Sequence, residues 1–193
     1  MSITKTRNSI LTVADILFSR FGFHKTSMDE IAKTARKAKG SLYYHFATKE
    51  DLFKEVLAIE LNKMKSRLMS IIDNPNINAS EKIRSYFKKK MKNLNTSANY
   101  KEILKADFFE HFHFVDDLRN ELDEWEENNL KKIILQGVNS GEFVLSADIH
   151  TLVGVITMTM KGLEIPFFLQ DKYKKFSQHF DGLITILIKG LLK

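Results

Sequence analysis

Cysteine is absent from all 193 residues, which removes disulfides and thiolate metal ligands and leaves the chain indifferent to redox compartment. Proline occurs twice and glycine eight times, so little interrupts long helices. No stretch of about 20 residues, the length of a membrane span, is free of charge. The start, MSITKTRNSILTVADILF, sets basic residues before an apolar run, but Asp15 interrupts that run and no small-residue cleavage site follows. The expectation is a soluble, cytoplasmic protein with no membrane partner. Also missing are a nucleophile elbow, a phosphate loop, paired catalytic histidines and any fixed carboxylate spacing. No catalytic residue, cofactor or enzyme activity is expected.

What is present favours a helical body with a basic front. Apolar residues make up 44% of the chain and include 15 Phe, enough for a substantial core in one generous domain or two smaller ones. The net charge of +6 is uneven: residues 1–50 hold nine Lys or Arg against four Asp or Glu, a net of +5, which leaves +1 for the rest. A positive first quarter on a nearly neutral body suits a module that faces a polyanion.

The most informative stretch is TSMDEIAKTARKAKGSLYYHFATKEDL, residues 26–52. Ser27 and Glu30 have the spacing of a capping box, so a helix is predicted to start there. Met28, Ile31, Ala32 and Ala35 recur on one face of it. A second short helix follows the basic cluster Arg36, Lys37 and Lys39, with Ala38, Leu42 and Phe46 as its buried row and Lys39, Gly40, Tyr43 and Tyr44 turned outward. Thr48 and Asp51 cap the next helix. Two short helices, the second offering lysines, hydroxyls and tyrosines, form a plausible helix-turn-helix. Gly40 would let a phosphate backbone approach closely. An exposed tyrosine pair serves equally well as a protein contact surface, and a structural helical hairpin stays open on spacing alone.

The remaining elements follow from periodicity. A first helix is predicted over Thr4–Phe21, with Ile10, Val13, Ala14, Leu17, Phe18 and Phe21 on one face and Gly22 as its stop; Arg7 could reach a phosphate. A long helix is predicted from Lys49 to Ile72, its stripe Leu52, Val56, Ile59, Met64, Leu68 and Ile71 or Ile72. Ser80–Leu94 turns Ile83, Phe87, Met91 and Leu94 inward and Lys82, Lys88, Lys89 and Lys92 outward. Tyr100–Phe114 is helical in tendency and aromatic, and Val115–Gly137 carries Leu118, Leu122, Trp125, Leu130, Ile133 and Ile134. Two apolar helices close the chain, Ala147 to about Gln170 and Lys175–Leu192. Their surplus apolar surface suggests that they bury a partner subunit as well as each other. His111 and His113, two residues apart, do not share a helical face, so no metal site is expected.

Thr26-Ser27, Ile31-Ala32, Lys39-Gly40-Ser41-Leu42-Tyr43, Tyr44-His45-Phe46 and Thr48-Lys49-Glu50-Asp51-Leu52 together resemble the hallmark segment of the TetR family of bacterial transcriptional regulators. Ala14, Phe18 and Phe21-Gly22 extend the likeness into the first helix, over about a quarter of the chain. The resemblance implies an all-α protein of about nine helices, with a DNA-binding domain at 1–48 and a ligand-binding and dimerisation domain at 49–193. It implies a homodimer, joined through the last two helices, that binds a palindromic operator in double-stranded DNA and answers to a small apolar or amphipathic effector. By position in the motif, Thr26, Ser27, Tyr43, Tyr44 and Lys49 would contact phosphates. Lys37, Lys39, Gly40 and Ser41 would lie nearest base edges, with Leu42 and Phe46 in the core. The implied cavity among the central helices has Tyr86, Phe87, Phe108, Phe109, His111, Phe112, Trp125 and Met158 as candidate lining. The chain departs from the family at the turn, where Arg36, Lys37 and Ala38 stand where glycine, an apolar residue and serine are frequent; Ala38 cannot cap as serine would. The other reading is a helical protein-interaction dimer without sequence-specific DNA binding.

Overall fold

A computed structural model describes residues 3–109 and 112–190, with the backbone alone for 106–109. Among the described residues there is no strand, and the elements are α1 (Ile3–Phe21), α2 (Met28–Thr34), α3 (Lys39–His45), α4 (Lys49–Ile72), α5 (Ala79–Thr96), α6 (Ala98–Phe109), α7 (Asp116–Asn139), α8 (Ile149–Gly162), α9 (Tyr173–Phe176) and α10 (Phe180–Lys189). Nine of these exceed a single turn, in line with the expected count. Packing divides the chain into two compact units, residues 1–62 with 97–118, and residues 63–96 with 119–193.

In the first unit, Ile10, Ala14 and Phe18 of α1 are buried with Ile31, Leu42, Phe46 and Phe53. Phe21, expected on that face, is exposed with Arg20 over its ring. Gly22 is the reason: its φ of +83° turns the chain back at the helix end, so Phe23, two residues on, takes the interior place edge-on to Phe53 at 5.1 Å. A Cβ at Gly22 would lie 2.7 Å from Glu102 Oε1, the oxygen that accepts the Phe23 N–H at 3.2 Å. The loop after α1 is thereby tied to α6. The helix expected to run to Phe114 is described as far as Phe109; Phe112 is not helical, and a separate 3₁₀ turn covers His113–Val115. Phe112 and Phe114 stack on one another at 5.2 Å and lie tilted against Phe23 at 5.2 and 5.4 Å.

The second unit has its core in Leu68, Ile72, Ile83, Phe87, Met91, Leu94, Leu130, Ile133, Ile134, Ile156, Met160 and Ile184. In the part of α4 that belongs to the first unit, Ile59, placed in the stripe by the sequence pattern, is exposed, while Leu57 and Leu61 are buried. Lys82 was expected outward and is buried instead. Its Nζ donates to Ile72 O at 2.7 Å and Gln136 Oε1 at 2.8 Å, because α5 buries two adjacent rows: 82, 86 and 90 beside 83, 87, 91 and 94. In the last turn of α7, Gly137 has no room for a side chain, since a Cβ would come within 2.2 Å of the Phe143 ring. Nearby, the Glu142 carboxylate accepts the Ala79 and Ser80 N–H groups at 2.9 Å each, an anion at the start of α5.

The C-terminal pair differs from the two long helices expected. α8 ends at Gly162 and passes into a π-helical turn over Ile165–Leu169; the second helix is broken into α9, a 3₁₀ turn at Ser177–His179 and α10. The run Ile149–Leu169 has the length and mean hydropathy, 1.5, of a membrane span. Its Glu164, however, is buried in an ion pair with Lys90, as befits a core helix with one apolar face left over.

Candidate nucleic-acid interface

The local chemistry of α2 and α3 differs at their starts. Ser27 Oγ accepts the Glu30 N–H at 3.2 Å, and Glu30 Oε2 accepts the Ser27 N–H at 2.9 Å, so the predicted capping box is formed. The Ser27 N–H holds the Glu30 carboxyl below its ordinary value. At the far end of α2, the Arg36 N–H donates to Lys33 O at 3.1 Å and the Lys37 N–H to Ala32 O at 2.9 Å, the bond pair of a Schellman turn. The residue held in the left-handed conformation there is Arg36, at φ +53°. That position ordinarily falls to glycine, since a side chain costs roughly 1–2 kcal/mol in it. α3 then starts at Ala38 with no side-chain cap. Ala38 is also exposed, which corrects its place in the buried row: as the residue before the helix it precedes the face that Leu42 and Phe46 bury.

The outward set is largely as expected. Tyr43 is 43% exposed and Tyr44 74%; Ser27, Lys39 and Gly40 are exposed, and Lys37 and Ser41 half-buried. A Cβ on Gly40 would meet nothing within 4 Å, so the fold does not require glycine there. Lys39 Nζ pairs with Asp29 at 2.8 Å, which joins the start of α3 to α2. The hydrogen bond to Asp29 and its charge hold the lysine above its ordinary pKa.

Three basic or hydroxyl groups are engaged inside the unit. Thr26 is buried, its hydroxyl donating to Gly22 O at 2.8 Å. Lys49 Nζ donates to Phe23 O at 3.0 Å and sits 4.3 Å from the Phe23 ring centre. Arg7 forks onto both carboxylate oxygens of Glu55 and lies over Phe46 at 4.9 Å. Their work in the free protein is to hold the helices that present α3.

The residues expected to line an effector cavity do not all come together. Tyr86 and Phe87 are fully buried on α5, and Trp125 is half-buried with Lys65 Nζ 5.8 Å from its ring centre. Phe112 belongs to the first unit's aromatic stack. Met158 is 69% exposed on α8, because its face of the helix carries the surplus apolar surface. The Phe108 and Phe109 side chains and His111 lie outside the described residues. Sequence reasoning also missed an apolar groove of about 360 Å³ between Leu163, Pro166, Phe167, Phe176, Phe180 and Leu183.

The larger omission is a buried polar cluster in the second unit. Lys90 Nζ, on α5, reaches Glu126 Oε2 of α7 at 2.8 Å and Glu164 Oε1 at 3.3 Å, and all three side chains are at most 4% exposed. Tyr86, one turn before Lys90 on the same row of α5, is fully buried, and its hydroxyl interacts with Glu126. Burial pushes the Glu126 carboxyl up against the opposing pull of Lys90. Burial alone would lower Lys90, but the two carboxylates outweigh it and hold the ammonium above its ordinary value. Burial, then the Glu126 charge, raises the Tyr86 phenol well above its ordinary value. The signal in the sequence was the spacing of Lys82, Tyr86 and Lys90, one continuous row next to the apolar one.

Residues 10–56 match the family model described as bacterial regulatory proteins, tetR family. Among curated relatives, the HTH-type transcriptional regulator QacR of Staphylococcus aureus (strain Mu50 / ATCC 700699) is 46% identical over 61 residues, 32% of this chain and 32% of that protein; the match spans about a third of the relative's length. The fold as a whole is similar to the crystal structure of a transcriptional regulator from Cytophaga hutchinsonii ATCC 33406, with a TM-score of 0.80 at 23% identity over 95% of this chain and 97% of that one. It is also similar to the transcriptional regulator FadR from Bacillus subtilis in complex with stearoyl-CoA, with a TM-score of 0.75 at 21% identity over 95% and 98% of the two chains.

Proposed function

Since the chain belongs, through residues 10–56, to the tetR family of bacterial regulatory proteins, we propose that it is a cytoplasmic, homodimeric transcriptional repressor that binds a palindromic operator and is released by a small molecule. One observation carries the reading: α3 rests on Leu42 and Phe46 and holds Lys39, Gly40, Tyr43 and Tyr44 at the surface beside the capped start of α2. Residues 1–48 are the reading domain and 49–193 the effector and dimerisation domain. Ser27, Tyr43 and Tyr44 fix position on phosphates, and so does Lys49 once it leaves the Phe23 carbonyl; Thr26 contributes through its backbone. Lys37, Lys39, Gly40 and Ser41 face base edges, where discrimination arises.

Dimerisation uses the apolar faces of α8 and α10, on which Met158 and Ile186 are each 69% exposed. Two copies of α3 then meet successive major grooves about 34–36 Å apart. The effector sits among α5, α7 and α8, lined by Tyr86, Phe87 and Trp125, and alters that spacing through α4, which runs through both units.

Selection of bound duplexes from a random pool tests the reading. A recovered palindrome, with half-sites one helical turn apart or a multiple of it, is the expected result. A preference of no more than a few fold over random duplex at moderate salt overturns it and favours a helical protein-interaction dimer.

A further inference from the structure

We propose that the apolar groove between the end of α8, α9 and α10 binds a free single-chain amphiphile with an anionic head, its chain lying on Phe167 and Phe180 and its head received by Lys172 and His179. The site goes beyond the regulator reading and stands or falls separately from it.

The groove lies where the two closing helices are interrupted. α8 gives way to the π-helical turn Ile165–Leu169, and the segment after it is divided into α9, a 3₁₀ turn and α10; the space between them is about 360 Å³. Ligand pockets run from about 300 to 1,000 Å³, so this one has room for a single narrow guest, and π-helical turns recur at functional sites. The lining is graded from inside to outside. Phe167 and Phe180, 4% and 6% exposed, form the floor. They meet edge-on at 6.0 Å, and Phe176 stacks on Phe167 at 6.4 Å, so the apolar surface is held in place before a guest arrives. Leu163 and Leu183 are half-buried walls, and Lys172 and His179 are exposed at the mouth.

Charge at that mouth selects the occupant. Residues 170–180 hold three lysines and His179 against one carboxylate, Asp171. Lys172 Nζ donates to the neutral Gln170 Oε1 at 2.7 Å, and His179 Nε2 lies 3.2 Å from Gln178 Nε2. Lys175 Nζ is 5.5 Å from the centre of the Phe176 ring. The acids that flank this segment are engaged elsewhere, Glu164 with buried Lys90 and Asp181 with Lys88. An apolar floor by itself takes any oily chain; cations at its edge favour the chain that ends in an anion. A guest there touches the end of α8 and α10 at once, and so ties together the two helices whose apolar faces are proposed to dimerise.

The test titrates the full chain, without DNA, with sodium octanoate, octanol and octylammonium chloride, each below its micelle concentration and at equal ionic strength. Octanoate is expected to bind saturably by calorimetry, more tightly than octanol and far more tightly than octylammonium, and to weaken up to about fourfold for each methylene removed toward hexanoate. Lys172→Glu changes an exposed side chain and should reverse the order, with octylammonium above octanoate. Lys89→Glu, exposed on α5, alters the net charge equally and should leave the order alone. Leu183→Trp fills the groove and should abolish octanoate binding with helicity retained. The proposal is overturned if octanol or octylammonium matches octanoate in the parent, if the order survives Lys172→Glu or shifts as much in Lys89→Glu, if affinity ignores chain length, or if octanoate gives no response. Two further results overturn it by naming another occupant. Co-sedimentation with phosphatidylglycerol vesicles without binding of free octanoate assigns the groove to a membrane surface, and a dimer silent to octanoate that Leu183→Trp turns into a monomer assigns it to a second copy. Selective duplex binding with no octanoate response ends this inference alone, and octanoate binding without duplex preference ends the regulator reading alone.

Discussion

The two units handle charge in opposite ways. In the first, Lys39 is an exposed cation paired with one exposed carboxylate, Asp29, and water screens the pair and lowers the cost of parting it. In the second, Lys82 and Lys90 are withdrawn from solvent, and Lys90 is bound to two carboxylates as buried as itself. A surface pair can be traded for a phosphate at little cost. A buried triad cannot be opened without leaving a charge unpaired.

The sharpest way to break the comparison is Lys90→Met. It strands two buried carboxylates and should cost about 3–5 kcal/mol in urea unfolding; adding Glu126→Gln and Glu164→Gln should restore most of it. A loss no larger than that of an exposed pair would erase the difference between the units. The pH dependence sharpens the same point. Because burial raises the Glu126 carboxyl above its ordinary 4.5, its contribution to stability is whole below that value and declines as pH rises through the folded value. Glu126→Gln lacks that decline, so unfolding measured from pH 4 to 8 should show the variant gaining on the parent as pH rises.

Glycines divide along the same line. Gly137→Ala drives a methyl group into the Phe143 ring and should cost about 1–3 kcal/mol by overpacking. Gly40→Ala enters open space near the start of a helix and should stabilise the free protein by up to about 1 kcal/mol, while operator affinity falls because the backbone it faces comes close. A Gly40→Ala protein that binds its operator unchanged would show that α3 does not approach DNA at that point.

Among the described residues of the first unit, Arg36 is the non-glycine residue held in the left-handed conformation. Arg36→Gly relieves a left-handed side chain, worth about 1–2 kcal/mol, but frees the unfolded chain, which takes back about 0.4–1 kcal/mol. A modest net rise in unfolding temperature is expected. Operator affinity should fall, and fall less at high salt, since a cation near the phosphates is lost.

The reading unit was legible because its signals are local. Ser27 and Glu30 declare a helix start within four residues, and Gly22 declares a stop. Even the departure at Arg36 and Ala38 could be located, though not its resolution by a strained turn. The second unit was less so, since burial there depends on which helices pack together. Lys82 in a lysine-rich helix reads as solvated until Ile72 O and Gln136 are known to lie above it. Met158 reads as core until its face of α8 is seen to be uncovered. The pairing of Lys90 with Glu126 and Glu164 spans 36 and 74 residues of chain, and no periodicity within one helix contains it.

The smallest expected effect lies at the uncapped start of α3. Ala38 has the extended backbone of an N-cap, φ −65° and ψ 144°, but no side chain to accept a bond, whereas Ser27, in the same role for α2, closes a complete box. Ala38→Ser should therefore gain about 1 kcal/mol, and Ser27→Ala lose about as much. The two differ on DNA. Ser27→Ala removes a hydroxyl that the proposed function sets against a phosphate, so on that reading it should weaken operator binding beyond its effect on folding. Ala38→Ser lets a hydroxyl serve the amides that open α3, the groups a phosphate would otherwise use. If operator affinity rises along with stability in Ala38→Ser, the start of α3 faces no phosphate and the missing cap is a defect. If affinity falls while stability rises, the helix start is left open for the nucleic acid to complete.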